Sequence, residues 1–219
     1  MINELEMPER IKALPLDKKG RPVPWFVYWK DGEPDFRVVG PGKIALATIQ
    51  RKCWVCGEKL GVYLAFVIGP MCAVNRVSSE PPSHRECAIF SARVCPFLTT
   101  PRMHRNEKDL PEDMTLYKNT AGIASPRNPG VALVWITKSF VPFNTPPPNR
   151  GVLFEVGEPL ETLWFSQGRE ATRQEILHSI ETGLPGLLEL AKEDGPAAVA
   201  DLERKTREAL RLVPRERAA

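Results

Sequence analysis

Two short motifs in the middle of the chain contain residue types that bind metal ions. In KCWVCGEKL, Cys53 and Cys56 stand three apart and precede Gly57, a pattern typical of a tight turn in which two thiolates converge and glycine relieves backbone strain. In PPSHREC, His84 and Cys87 are also three residues apart. Two ligands from a turn and two from the start of a helix can complete a tetrahedron around zinc, so the sequence predicts a zinc site.

The second motif also predicts where its helix begins. Ser83 and Glu86 match the Ser-x-x-Glu capping box, in which the serine oxygen accepts a backbone N–H of the first turn and the glutamate reaches back to the cap. With Ser83 as the cap, His84 and Cys87 lie on the first turn of the helix, on the same face.

The identity of the fourth ligand stays open between two residues. Cys72 follows Gly69-Pro70 and could replace His84 if that loop folds back. Cys95 lies eight residues beyond Cys87, about 12 Å along a helix, and cannot reach the same ion. A site with four protein ligands leaves no position for water, so we expect about one structural Zn2+ per chain and no catalytic metal there.

The elements around this site predict an α+β protein with a small, mainly antiparallel sheet. Strands are expected at VPWFVYW (23–29), FRVV (36–39), VALVWIT (131–137), GVLFEV (151–156) and LETLWFS (160–166). Asp31-Gly32 marks a hairpin turn between the first two, and PFNTPPPNR is expected to be a connection. Periodicity does not decide whether residues 43–52 form a helix or a strand. The metal motifs, with YLAFVIGP (63–70) between them as a hairpin strand, resemble the treble-clef zinc finger.

The C-terminal segment predicts helices with clear boundaries. Thr172 and Glu175 match a capping box, and apolar residues then recur at helical spacing. Pro185 predicts a kink or break near Gly183, and Gly195-Pro196 ends this helix and starts the last one. We therefore divide the chain into a poorly ordered lead-in (1–15), a core (16–170) with the zinc module at about 50–100, and helices packed on that core (171–219).

Length and cysteine content suit a soluble cytoplasmic protein. The chain has 219 residues, 42% of them hydrophobic, with no apolar run long enough for a membrane span and no signal-peptide core at the N-terminus. Four of the five cysteines lie within 35 residues, which favours a metal in a reducing compartment over a disulfide framework.

Charge distribution favours a nucleic-acid partner, DNA or RNA. Net charge is only +3, but residues 51–110 hold nine Lys and Arg against five Asp and Glu. Arginine contacts phosphate and aromatic rings stack on bases. The candidate cations are Arg51, Lys52, Arg76, Arg85, Arg93, Arg102 and Arg105, with Trp54, Tyr63 and Phe97 as candidate stacking groups.

Two other functions are alternatives to nucleic-acid binding. Stiff proline-containing loops and an acidic helical tail would also suit a protein-interaction module, for example a regulator in defence or mobile-element biology. An HNH-like nuclease would need a histidine base and ligands for a second, catalytic cation. His104, followed by Asn106, Glu107 and Asp109, is the better candidate base, and His178 is expected on the surface of the tail helix. No nuclease spacing accompanies His104, so we expect binding rather than catalysis.

The motifs CWVCG, FVIGPMCAVNR, PPSHREC and CPFL resemble those of an uncharacterised family of bacterial and prophage proteins. The similarity extends from VPWFVYW through NPGVALVWITKS into the tail and so covers most of the chain. The resemblance implies a bacterial or phage origin, and it brings no established activity.

Overall fold

A computed structural model describes residues 6–100, 129–145 and 151–215. The fold is α+β, and all its strand pairs are antiparallel. The helices are α1 (Glu9–Lys12), α2 (Lys43–Ile49), α3 (Pro70–Asn75), α4 (Arg85–Val94), α5 (Pro96–Thr99), α6 (Arg173–Asp194) and α7 (Pro196–Leu210). The strands are β1 (Val27–Lys30), β2 (Glu33–Val39), β3 (Leu64–Ile68), β4 (Val77–Ser78), β5 (Ala132–Thr137), β6 (Phe140–Thr145), β7 (Gly151–Val156), β8 (Glu161–Ser166) and β9 (Arg169–Glu170).

The largest sheet, in the order β3-β5-β8-β9, is covered on both faces. Every residue of β5 is buried, and its side chains alternate between two apolar clusters. Leu133 and Trp135 join the cluster that contains Ile176 of α6, whereas Val134 packs in the cluster that contains Ala88 of α4. Since both faces of this strand are covered, apolar residues run without interruption from Val131 to Ile136.

The other strands form two small sheets instead of joining the first. β1 and β2 make the predicted hairpin, with Asp31 and Gly32 at φ 50° and 80°, the left-handed pair that a two-residue turn requires. β4, β7 and β6 make a three-stranded sheet in that order. Strand β6 was not predicted, and it includes the first four residues of PFNTPPPNR, which was expected to be a connection. The sequence does not predict β6, because the strand contains Pro142 and its side chains are mostly exposed, so apolar and polar residues do not alternate. An edge strand such as β6 tolerates both features.

The tail helices confirm most of the predicted boundaries. Thr172 and Glu175 form a complete capping box at the start of α6, and Gly195 separates α6 from α7. Of the kink or break predicted near Gly183, the break is wrong, because α6 continues through Pro185, and the kink stays a prediction. Gly183 packs against Met71 of α3 so closely that a Cβ there would lie 2.8 Å from the sulfur. We attribute the unbroken helix to this packing, which offsets the one hydrogen bond that proline removes.

No helix of the described segments has the length and apolar content needed to cross a bilayer.

The N-terminal residues pack more closely than a poorly ordered lead-in would. Residues 6–15 include α1, where Ile11 is 1% exposed and joins the same apolar cluster as Cys53 and Cys87. One helical turn is too short to show a hydrophobic period, so no sequence pattern indicates this contact. The remaining domain boundaries stay predictions.

Candidate metal centre

The four predicted ligands lie together in the core. One ligand atom from each of Cys53, Cys56, His84 and Cys87 lies within 4.8 Å of the other three. All four residues are buried, Cys53 and Cys87 completely. Bonds of about 2.3 Å to sulfur and 2.0 Å to nitrogen would put tetrahedral ligands about 3.6–3.8 Å apart. The cluster is therefore of the right size and composition to hold a metal ion.

The first ligand pair lies on a tight turn closed by backbone hydrogen bonds. Cys53 N–H donates to Glu58 O at 2.7 Å, and Gly57 N–H donates to Cys53 O at 2.9 Å. The Cys53 sulfur accepts the N–H groups of Cys56 and His84 at 3.4 and 3.3 Å. These donors favour a thiolate at Cys53 and fix the position of its sulfur.

Gly57 and Trp25 set the shape of this turn. Gly57 has φ +76°, and a Cβ on it would lie 2.5 Å from two atoms of the Trp25 ring. The backbone N–H of Trp25 in turn donates to Val55 O at 2.7 Å. The indole therefore packs directly on the ligand-bearing turn, at a position where only glycine fits.

The second ligand pair is positioned by a strand as well as by a helix. Ser83 exchanges two backbone hydrogen bonds with Ala65 of β3, at 2.8 and 2.9 Å. The predicted Ser83–Glu86 capping box is wrong: α4 begins at Arg85, and His84 is its N-cap, with no side-chain cap. The bridge to β3 holds Ser83 in extended backbone, so the helix starts one residue later. Cys87 still lies in the first turn. The strand expected between the two ligand pairs is present as β3, but it pairs with β5 and not within a hairpin, so the treble-clef resemblance stays a prediction.

The ring of His84 is oriented by both of its nitrogens. Nδ1 lies 3.3 Å from the Cys56 sulfur, and Nε2 lies 3.1 Å from Lys59 O. A carbonyl oxygen only accepts hydrogen bonds, so Nε2 carries the proton and Nδ1 is the nitrogen available to a metal. A histidine ligand held through its second nitrogen in this way is the usual arrangement around protein-bound metals.

The three thiols compete for one negative charge when no cation is bound. Burial opposes ionisation of Cys53, but hydrogen bonds from Cys56, Cys87 and His84 lower the pKa of its thiol. Hydrogen bonding to Cys53 raises the pKa of Cys56 and, together with Cys56, that of Cys87. A divalent cation at the centre would remove this competition, since it stabilises all three as thiolates.

The other two cysteines lie outside the cluster. Cys72 is exposed on α3 and is not in the ligand group. The fourth ligand position, for which the sequence allowed either Cys72 or His84, is taken by His84. Cys95 is half-buried at the junction of α4 and α5, and it lies outside the ligand group, as its distance along the helix predicts.

Arg10 of α1 links the two ligand-bearing segments from outside. Its Nη1 lies 2.5 Å from Glu58 at the end of the turn, and its Nε lies 2.9 Å from Glu86 in α4. These partners are 48 and 76 residues away in sequence. Sequence reasoning missed this pair of contacts, because no local pattern joins charges that far apart.

The predicted basic surface divides into paired and unpaired cations. Arg85 forms a bidentate contact with Glu161 at 2.6 and 2.8 Å, and Arg76 binds Glu158. Arg93 Nε donates weakly to Gly168 O at 3.3 Å. Arg51 and Lys52 contact no carboxylate in the described part of the chain. Arg102, Arg105 and His104 lie outside the described residues.

The candidate stacking groups are not equally accessible. Trp54 is 3% exposed and stacks on Phe26 with the ring planes 6° apart, so its ring is not available to a base and that expectation is wrong. Tyr63 and Phe97 are 58% and 45% exposed. His178 is exposed on α6, as predicted.

Comparison with known proteins adds no family to this description: no family model, curated protein or solved structure matches the chain. The resemblance of its motifs to bacterial and prophage proteins therefore stays a prediction.

Proposed function

We propose that this is a zinc-stabilised binding protein whose metal is structural and whose partner is nucleic acid. The observation that supports the metal is the buried cluster of Cys53, Cys56, His84 and Cys87. Three thiolates and one imidazole are a donor set that suits zinc, whereas magnesium and calcium prefer oxygen ligands. Four protein ligands fill a tetrahedral zinc, so the ion would hold structure and would not activate water.

Zinc at this site would join the ligand-bearing turn to α4. The turn otherwise contacts the second ligand segment through the backbone N–H of Trp54, which donates to Pro82 O, and through the hydrogen bonds at Cys53 and His84. Bound zinc would displace the protons that remain on the buried thiols and form strong bonds in their place, and its binding energy would become folding energy.

Nucleic-acid binding is supported by the cations beside the turn. Arg51, Lys52 and Lys59 flank the ligand-bearing turn in sequence, and Lys43 lies over the Trp25 ring that packs on Gly57. None of these four cations forms an ion pair with a carboxylate among the described residues. Arg10, Arg76 and Arg85 do contact carboxylates. The anion-attracting part of the surface is therefore the side of the zinc module that carries the turn, a smaller area than the seven predicted cations suggest.

The metal is tested by elemental analysis of the purified protein. We expect about one zinc per chain, and loss of that zinc with aggregation in Cys53→Ser and Cys87→Ser. Cys95→Ser is the matched control and should retain the metal, because Cys95 lies outside the cluster. Full zinc content in both ligand variants would contradict the assignment.

Binding is tested by fluorescence anisotropy of labelled duplex DNA, single-stranded DNA and RNA with the zinc-loaded protein. We expect binding that weakens with salt, because phosphate contacts release counterions. Absence of binding to all three at low salt would overturn the nucleic-acid assignment and leave a protein partner as the function to test.

A further inference from the structure

We propose that single-stranded nucleic acid binds in an aromatic groove next to the zinc module, with bases stacked on Trp29 and phosphates facing Lys43 and Lys52. The inference rests on the proposed nucleic-acid binding and specifies its surface and its substrate class. The aromatic groove has a volume of about 280 Å³ and is lined mainly by Pro24, Trp25, Tyr28, Trp29, Pro41 and Lys43.

The first observation is the exposure of large aromatic residues at this groove. Trp29, on β1, is 39% exposed, and Trp25 and Tyr28 are half-buried. Trp25 is held by the metal-binding turn, since its ring packs on Gly57 and its backbone N–H donates to Val55 O. Trp25 therefore anchors the groove, and Trp29 offers the accessible ring. Aromatic rings held in this way are stacking platforms for unpaired bases.

The second observation is the charge at the same place. Lys43 Nζ lies 4.0 Å and Lys52 Nζ 5.5 Å from the centre of the Trp25 ring. Burial, and secondly the charge of Lys52, lowers the pKa of Lys43. Two ammonium groups over one ring, with no carboxylate contact in the described segments, leave positive charge that an anionic ligand would complement.

The row of cations continues away from the groove. Lys59 lies directly opposite Lys52 across an isolated β-bridge, and within the described segments the Arg51 side chain donates to the carbonyl of Gly61. A chain of phosphates could follow Lys43, Lys52 and Lys59 while its bases enter the groove. Such a row beside an aromatic surface fits a strand with an accessible backbone and accessible base faces.

The same features disfavour two other ligands. In a duplex the bases are stacked on one another, so a ring in a groove of this size cannot reach their faces without unpairing them. A proline-rich peptide would also fit an aromatic groove, but it carries no regular negative charge to meet the cations. A single strand can stack its bases on the aromatic rings and place its phosphates against the lysine side chains.

The experiment measures anisotropy of fluorescein-labelled oligo(dT) and oligo(U) of about 12 nucleotides, and of a DNA duplex of equal length, over a range of salt concentrations. We expect tighter binding of the single strands than of the duplex. Trp29→Ala should weaken binding about tenfold, because one stacked base is lost. Phe143→Ala is the matched control, since Phe143 is also 39% exposed but lies on β6.

The contribution of charge to binding is measured separately with the double variant Lys43→Gln, Lys52→Gln. For single strands each lost phosphate contact should reduce the slope of log K against log salt by about 0.7, or about 1.4 for the pair. Lys192→Gln with Lys205→Gln removes the same charge from α6 and α7 and should leave the slope unchanged. Zinc content and circular dichroism confirm that each variant is folded.

The outcomes separate this inference from the proposed function. Salt-dependent binding that survives Trp29→Ala and the Lys43–Lys52 double variant would overturn the groove and leave nucleic-acid binding standing. Preference for the duplex would overturn the single-strand assignment. No binding of any oligonucleotide would overturn both, and binding of a proline-rich peptide in the groove instead would identify the competing class of ligand.

Discussion

Gly57 satisfies two requirements of the metal-binding turn, and its replacement is the sharpest residue-scale test. Its φ of +76° favours glycine, and a Cβ would lie 2.5 Å from the Trp25 ring. Gly57→Ala should therefore lower the free energy of unfolding by about 3 kcal/mol, the combined cost of left-handed backbone and overpacking. We also expect faster transfer of zinc to a chromogenic chelator, because displacement of the turn moves Cys56.

The matched control for this change is Gly61→Ala. Gly61 lies beyond the same turn and has no positive φ, and a Cβ added to it would meet no heavy atom within 4 Å. Its variant should keep the wild-type unfolding midpoint in urea and the wild-type rate of zinc release. Equal behaviour of the two glycine variants would contradict the role given to Gly57.

At this scale the sequence predicted the ligands better than their support. Cys53, Cys56, His84 and Cys87 could be found because each pair is a local pattern with a spacing that metal geometry requires. The N-cap of α4 could not be predicted in this way. Ser83 forms backbone hydrogen bonds with Ala65, which lies 18 residues earlier in a strand whose register the sequence does not specify. Trp54 could not be identified as buried for the same reason, since Phe26 covers it from a different segment.

Among the elements, α1 has a role that the sequence did not predict: its residue Arg10 connects the two segments that carry the metal ligands. Arg10 contacts Glu58 beside the turn and Glu86 in α4, so α1 fastens the two segments that supply all four ligands. Arg10→Gln should lower the free energy of unfolding by about 1 kcal/mol, since these pairs are partly exposed and screened by solvent. Because the contacts resist separation of the segments, zinc release to a chelator should also accelerate.

Lys12→Gln is the control for Arg10→Gln. Lys12 lies on the same helix, and its ion pair in the described part of the chain is with Glu9 in its own turn. It should leave the rate of zinc release unchanged, and salt should reduce the difference between Arg10→Gln and wild type. A wild-type release rate for Arg10→Gln at low salt would show that α1 does not support the site.

Helices and strands were predicted correctly where hydrophobic periodicity or a capping motif was strong. They were missed where tertiary contacts determined the secondary structure. GVLFEV was predicted with the bounds of β7, and the Thr172–Glu175 capping box marked the start of α6. Strand β6 lacks alternation because it is an exposed edge, and α6 continues through Pro185 while Gly183 packs on Met71. Neither circumstance is visible in a local window of sequence.

At the scale of the whole molecule, the metal ligands and the main sheet belong to the same apolar core. Cys53, Cys56 and Cys87 belong to the same apolar cluster as Trp135 of β5 and Ile176 of α6. A structural zinc site in a separate lobe would unfold locally when its metal is lost. Here the cluster connects the ligand-bearing turn, the main sheet and the tail helix, so loss of the metal should destabilise all of them together.

Removal of zinc should therefore lower the stability of the entire protein. Binding energies of structural zinc, about 10–16 kcal/mol in small zinc domains, are comparable to the usual unfolding free energy of about 5–15 kcal/mol. After treatment with EDTA we expect the melting temperature to fall by at least about 10 °C and the signals of helix and of buried tryptophan to be lost in one transition. EDTA already saturated with zinc is the control and should change neither signal. Restoring zinc should restore both, whereas a zinc-free protein that melts at the wild-type temperature would mean that the apolar core holds this fold without the metal.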